Sequence, residues 1–296
     1  MSEEIRELFA AAGVRGRLHA RPVDPSDEAE VAVSAKEPVV MASVYKLPLL
    51  VAFCRAVDDG VLDPTEPVRL EPEGRTAGET GASVMSDPVT MSRRDLARSM
   101  ITVSDSAAAD ALLDVIGLER VRDTLAALGL ADTHIDGGTR DVHQRLIRDT
   151  GATDLGEALA LLADNDHPVA TTALDPLLSS ATTAQDMTTL LSAIWTGTAA
   201  STEQCRFMRT VLGQQVWPHR LSAGFAYPGV RVAGKTGTLG PLRHEVGVVE
   251  HRHEPPVAVA VFTTAARADR HLPRVDAAIG ATARAAVTSL RATAPR

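Results

Sequence analysis

Only three of the 30 basic residues are lysines, Lys36, Lys46 and Lys235, and two of these sit in short motifs that also carry hydroxyl groups. A guanidinium is effectively always charged, whereas an ammonium gives up its proton once desolvated or set beside another cation. Lysine is therefore kept where a removable proton is useful. In Ser43-Val44-Tyr45-Lys46 an amine follows a hydroxyl by three residues, a spacing that puts both on one helix face and lets the amine take the hydroxyl proton. Lys235-Thr236-Gly237-Thr238 joins a cation to two hydroxyls, a set suited to holding a substrate carboxylate. Ser104-Asp105-Ser106 stands between them. Taken singly, each motif has an ordinary reading: Ser43 as a helix cap, Lys46 as a solvated side chain. All three in this order are improbable by chance and point to a catalytic site.

The elements that must position these groups follow from periodicity. An N-terminal helix carries Ile5, Leu8, Phe9 and Ala12 on one face, and strand-like runs at Arg17 to Val23 and Ala29 to Ala35 flank a Pro25-Ser26-Asp27 turn. From about Ser43 to Leu221 the pattern is almost entirely helical, with Leu47, Leu50, Val51 and Cys54 on one stripe and Met187, Leu190, Leu191 and Ile194 on another. Ser92-x-x-Asp95 and Thr183-x-x-Asp186 read as capping boxes, and Gly129 as a helix stop. Strands return at Arg231 to Ala233, His244 to Glu250 and Val257 to Thr264, before an Ala-rich helix from about Pro273 to Arg291. The expected class is α+β: an antiparallel sheet built from both termini and flanked by helices (1–42 and 222–296), with an inserted all-helical lobe (43–221). The site belongs between the lobes. Pro48 in the first turns, where a missing amide is least harmful, places Ser43 at a helix N-terminus, whose positive potential favours a negative oxygen.

Composition narrows the partners. A net charge of -8 with mixed signs lacks the clustered basic face of a nucleic-acid groove and has no attraction for an anionic membrane. Nine aromatic residues offer little stacking surface. No run approaches the ~18 apolar residues of a membrane span, and the acidic start is unlike an export signal, so a cytoplasmic location is expected. Cys54 and Cys205 are then expected as reduced thiols. His251-Arg252-His253-Glu254 precedes two prolines and reads as a charged turn, so no metal is expected. No cofactor is expected either; Asp136-Gly137-Gly138 lacks the spacing of a phosphate loop. The expected partner is a small, carboxylate-bearing substrate.

The motif order resembles the penicillin-recognising serine enzymes, the class A β-lactamases and penicillin-binding D,D-peptidases. The likeness extends through Gly81-Ala82-Ser83-Val84-Met85, Leu96 to Asp105, and Thr182 to Met187, and covers most of the chain from about Val39 to Thr264. It implies a sandwich of sheet and helices with Ser43 as nucleophile, Lys46 as the amine that takes its proton, and Ser104 as proton shuttle to the leaving nitrogen. It also implies an oxyanion hole from the amides of Ser43 and Thr238. Ser106, Lys235, Thr236 and Thr238 would line the substrate site, with Arg243, or else His244, as a further cation.

Two departures qualify the likeness. The Arg-x-Glu-x-x-Leu-Asn signature, whose Glu activates the deacylating water in class A enzymes, is absent; its nearest counterpart, Thr133 to Thr139, contains no Glu. The segment between Ser104 and Met187 is about 25 to 30 residues longer than expected of that family and suggests an added helix near Leu155 to Leu162. Glu157 or Asp141 could be a displaced base, although each reads better as a surface carboxylate. Ser106 replaces the Asn of the middle triplet. The expected activity is a Ser43 acyl-enzyme formed from a β-lactam or related amide or ester. An intracellular esterase or acyltransferase, a D,D-peptidase-like enzyme and a non-catalytic binding protein on the same scaffold are the alternatives.

Overall fold

The computed structural model describes residues 1–24 and 26–293. The chain opens with α1 (Ser2–Ala11) and β1 (Val14–Pro22), and β2 (Val31–Val33) folds back on β1 with Leu18 opposite Val33. The expected turn between these strands includes Pro25, outside the described residues. The short β3 (Val39–Val40) leads into a 3₁₀ turn at Ala42–Tyr45 and then α2 (Lys46–Asp58). Periodicity indicates a one-sided stripe on α2, yet Leu49, Ala52 and Phe53 are buried together with Leu47, Leu50, Val51 and Cys54. Its run of apolar residues on every side makes it the central helix of the molecule.

The middle of the chain is less purely helical than its pattern indicates. β4 (Pro67–Leu70) pairs with β5 (Val89–Ser92), followed by α3 (Arg93–Thr102), α4 (Ser106–Ile116), α5 (Leu118–Ala127), α6 (Thr139–Thr150) and α7 (Leu155–Ala163). The last of these is the helix expected near Leu155 to Leu162. β6 (Ala181–Thr182) pairs with β3, so the Ser43 turn is tied to the segment entering α8 (Ala184–Thr196), and α9 (Thr202–Leu212) follows. Of the two expected capping boxes the hydroxyl halves form, Ser92 Oγ accepting from Asp95 N at 3.2 Å and Thr183 Oγ1 from Asp186 N at 3.1 Å, whereas the carboxylates accept from Ser92 Oγ and from Asp132 N and Thr133 Oγ1 instead of the cap amides. Gly129, at φ +70°, takes the left-handed conformation just after α5.

β7 (Val230–Leu239), β8 (Leu242–His251) and β9 (Val257–Ala265) complete one antiparallel sheet in the order β2-β1-β9-β8-β7, and α10 (Pro273–Thr293) closes the described chain. The sheet is thus α+β and assembled from both ends of the sequence. One face packs Val249, Val259 and Val261 against Ile5 and Phe9 of α1 and Ile279, Ala283 and Val287 of α10. The other packs Val246, Val248, Ala260 and Phe262 into the main core with α2 and α8. Truncating a fully buried leucine of α2 such as Leu47 would cost about 2–5 kcal/mol, the usual price of a core cavity. His251 to Glu254 forms the turn between β8 and β9, where Glu254 pairs with Arg291. Among the described residues, no helix is long and apolar enough to cross a membrane.

Candidate active site

β7 lies at the sheet edge, and the 3₁₀ turn carrying Ser43 is pressed against it. A Cβ on Gly237 would stand 3.0 Å from the Met41 carbonyl oxygen and 3.1 Å from Val44 Cγ2, so the absence of a side chain is what lets the Ser43 turn reach the strand. The close approach at this glycine is made by the protein's own backbone. Ala42 holds the left-handed conformation at φ +45°, a costly geometry for a residue with a side chain, immediately before Ser43. Ser43 remains partly exposed while Val44, Tyr45 and Lys46 turn inward.

Lys46 is fully buried, and its Nζ donates to the Ser104 carbonyl at 2.7 Å and to Ser104 Oγ at 3.3 Å. Burial lowers its pKa to about 8, opposed by the carboxylates of Asp110 and Asp105. Lys235 is equally buried and donates to the same Ser104 Oγ at 3.0 Å and to the Thr236 carbonyl at 2.8 Å. Its pKa falls well below the ordinary value through burial and the nearby Lys46 charge. Two amines donating to one hydroxyl fill its lone pairs and leave its own proton free to be given outward.

Ser104 reaches this position through a left-handed backbone, φ +60°, between α3 and α4. Asp105 holds it there. The buried carboxylate accepts from Ala82 N at 2.7 Å, Ser99 Oγ at 2.8 Å and Ala108 N at 3.1 Å, capping α4 and tethering the Gly81 loop. Gly81 itself, at φ +64°, has Asp105 Oδ2 where a Cβ would be. Ser106 begins α4, and its hydroxyl lies against Gly78 of the same loop.

The outer edge of β7 is organised by a relay of polar groups. Thr236 N donates to Gln215 Oε1 at 2.7 Å, and Gln215 Nε2 donates to Glu245 Oε1 at 2.7 Å. Glu245 also accepts from Leu221 N at 2.7 Å; its burial raises its pKa to about 7 against the pull of these donors and of Arg220 and Lys235. Amides alternate sides along a strand, so the Thr238 N–H opens on the same outer edge as that of Thr236, and Thr238 is exposed.

The cation beside Thr238 is Arg220, which spacing alone did not single out. Its Nη2 donates to Thr238 Oγ1 at 2.8 Å, its Nη1 to the Gly237 and His244 carbonyls at 2.9 Å each, and its Nε to Asp276 at 2.6 Å. Arg243 is not brought to that point: its guanidinium donates to the carbonyls of Gly240, Leu242, Asp269 and Arg270. His244 is not available either. Its Nδ1 accepts from Thr263 N, which puts the ring proton on Nε2, facing the Val40 carbonyl, and burial drives its pKa down to about 3.

On the opposite wall, Asp110 anchors the start of α6 by accepting from Thr139 N and Arg140 N, each at 2.8 Å. Thr139 Oγ1 also lies 2.9 Å from Tyr45 Oη. Asp141 accepts from Gly138 N, and Glu157 from Thr153 N and Oγ1, so both carboxylates considered as a displaced base hold local backbone at the surface.

Residues 1–290 match the profile of the Beta-lactamase enzyme family. The chain belongs to the β-lactamase enzyme family. It is 30% identical over 278 residues to "Beta-lactamase regulatory protein BlaB" of Streptomyces cacaoi, covering 88% of each chain. The β-lactamase of Sphaerobacter thermophilus superposes with a TM-score of 0.77 at 25% identity, covering 100% of this chain and 99% of that one. An ancestral class A β-lactamase superposes with a TM-score of 0.79 at 22% identity over 97% of this chain and 99% of its own. PBP-A matches at 0.77 and 20% identity, over 98% and 96%. The class A β-lactamase-like fold thus brings together, in this family member, the lysines of two motifs on the Ser104 hydroxyl of the third.

Proposed function

We propose that this β-lactamase family member is a serine hydrolase that forms a Ser43 acyl-enzyme from a carboxylate-bearing β-lactam, amide or ester. The observation that carries the reading is the convergence of Lys46 and Lys235 on the Ser104 hydroxyl, with Lys46 one helical turn after the partly exposed Ser43. With a pKa of about 8, Lys46 supplies a substantial neutral fraction near physiological pH to accept the Ser43 proton. Its bonds to Ser104 hold that amine until a substrate aligns the hydroxyl; such contacts tighten in the Michaelis complex.

Ser43 Oγ attacks the carbonyl carbon while the amides of Ser43 and Thr238 stabilise the oxyanion, where one donor is worth ~10²–10³ in rate. The leaving nitrogen takes the free proton of Ser104, which recovers one from Lys46. Lys235, Arg220 and the hydroxyls of Thr236 and Thr238 receive the substrate carboxylate. The test is consumption of benzylpenicillin, a chromogenic cephalosporin and a carboxylate-bearing thioester by the wild-type protein and Ser43→Ala. Turnover lost in Ser43→Ala supports the reading; equal turnover in both proteins contradicts it.

A second reading is favoured by one finding, the regulatory name borne by the Streptomyces cacaoi relative. On that reading the crevice binds a β-lactam as a signal, without chemistry. Equal affinity of wild type and Ser43→Ala with no drug consumed by either would support it.

A further inference from the structure

A half-buried imidazole, His143, lies within the electrostatic reach of Lys46 and Asp110 and is left unused by the acylation chemistry. His143 lies on α6, one turn beyond Thr139, and residues four apart share a helix face. That face is fixed at both ends. At its start Thr139 touches Tyr45, the neighbour of Lys46, while Asp110 holds the Thr139 and Arg140 amides. One turn past His143, Leu146 is fully buried in a cluster with Ala158, Leu162 and Ala173, against which Leu239 at the end of β7 packs. Helix α6 thus bridges from the nucleophile helix to the tip of β7, with His143 midway between the anchors.

Among the described residues, no hydrogen bond engages the His143 ring. It feels the charges of Asp110 and Lys46, and burial, its dominant influence, lowers its pKa below 6.5. The imidazole is therefore neutral at physiological pH and free to accept a proton. The carboxylates of Asp141 and Glu157 are occupied elsewhere, as described above.

We propose that His143 is the general base that activates water for hydrolysis of the Ser43 acyl-enzyme, in place of the Glu that this chain lacks. This inference rests on the acyl-enzyme reading. A water molecule gives one proton to His143 as its oxygen bonds to the acyl carbon. The imidazolium passes that proton to the neutral Lys46 amine, which hands it to Ser43 Oγ as collapse of the tetrahedral species breaks the bond from carbon to Ser43 Oγ. Lys46 and His143 end neutral, as they began, and the acid product leaves with the second water hydrogen.

The charged groups that act on the ring are Asp110 from α4 and Lys46 from α2, and burial holds the His143 pKa below its ordinary value. The experiment follows protein mass and drug loss in time after mixing benzylpenicillin with wild type, His143→Gln and His143→Glu. Wild type should show a transient adduct whose decay accelerates with pH as His143 loses its proton, then levels. In His143→Gln the adduct should form at a similar rate and decay about 10²-fold or more slowly without that pH step, and His143→Glu should recover part of the decay. Equal decay in wild type and His143→Gln would overturn the role of His143 and leave the acyl-enzyme intact. Absence of any Ser43-dependent adduct or drug loss in wild type would overturn the acyl-enzyme reading and this inference with it.

Discussion

Lys46 and Lys235, on different elements and 189 positions apart in the chain, both donate to the hydroxyl of Ser104, at 3.3 and 3.0 Å. Two buried ammonium groups around one oxygen repel each other, and burial disfavours the charge on both, so the arrangement favours loss of a proton from one of them. This is the condition that a lysine base needs.

The first prediction concerns pH. Lys46 is depressed to about 8, so its neutral form grows as pH rises toward that value and predominates above it. The rate of Ser43 acylation should therefore climb with pH and level off beyond about 8, and Lys46→Ala should lower it about 10²–10⁴-fold. Stopped-flow acylation across this range is the check; a flat profile would assign the base elsewhere.

Arg220 and Arg243 should separate cleanly. Arg220→Lys keeps a charge but loses the fork that spans Thr238, Gly237 and His244. Its KM should rise at least about tenfold for carboxylate-bearing substrates, and less for a neutral ester. Arg243→Ala frees four backbone carbonyls and should chiefly lower the melting temperature. Equal KM changes for charged and neutral substrates in Arg220→Lys would remove the carboxylate clamp from the account.

These two arginines also show where the sequence stops being readable. Ser43 and Lys46 are legible because their relation is local, three residues along one helical turn, and the caps at Ser92 and Thr183 are legible for the same reason. The β7 and β8 strands are legible from their apolar runs, although β7 extends through Lys235 to Leu239 because pairing with β8 continues past the apolar residues. Arg220 has no local signature. Its place depends on the β7–β8 register and on Asp276 of α10, 56 residues away. The β4–β5 hairpin was hidden because its strands are short and largely solvent-facing, with little apolar alternation. His143 carried no motif at all; only the hold of Asp110 and Thr139 on α6 gives it a setting.

Asp105 should prove structural before it is chemical. Asp105→Ala removes a buried carboxylate that caps α4 and tethers the Gly81 loop, leaving the amides of Ala82 and Ala108 without that partner. Urea unfolding should show a loss of about 2–4 kcal/mol. Stability within about 0.5 kcal/mol of wild type would mean that the left-handed Ser104 backbone is held by something else.

Gly237→Ala tests the contact between strand and nucleophile turn. The added methyl would press on the Met41 carbonyl oxygen at 3.0 Å and on Val44, pushing Ser43 away from β7. Acylation should fall about 10²-fold, since small misplacements of reacting groups have effects of that size. Unchanged acylation with normal folding would show that the close approach does not set the position of Ser43.

The most direct measurement is intact-protein mass, quenched at intervals from milliseconds to minutes after mixing with benzylpenicillin, with drug concentration followed in parallel for wild type and Ser43→Ala. A gain equal to one drug molecule is expected on the peptide containing Ser43, absent from the variant. An undiminished drug pool with no adduct, or the same adduct on Ser43→Ala, would contradict it.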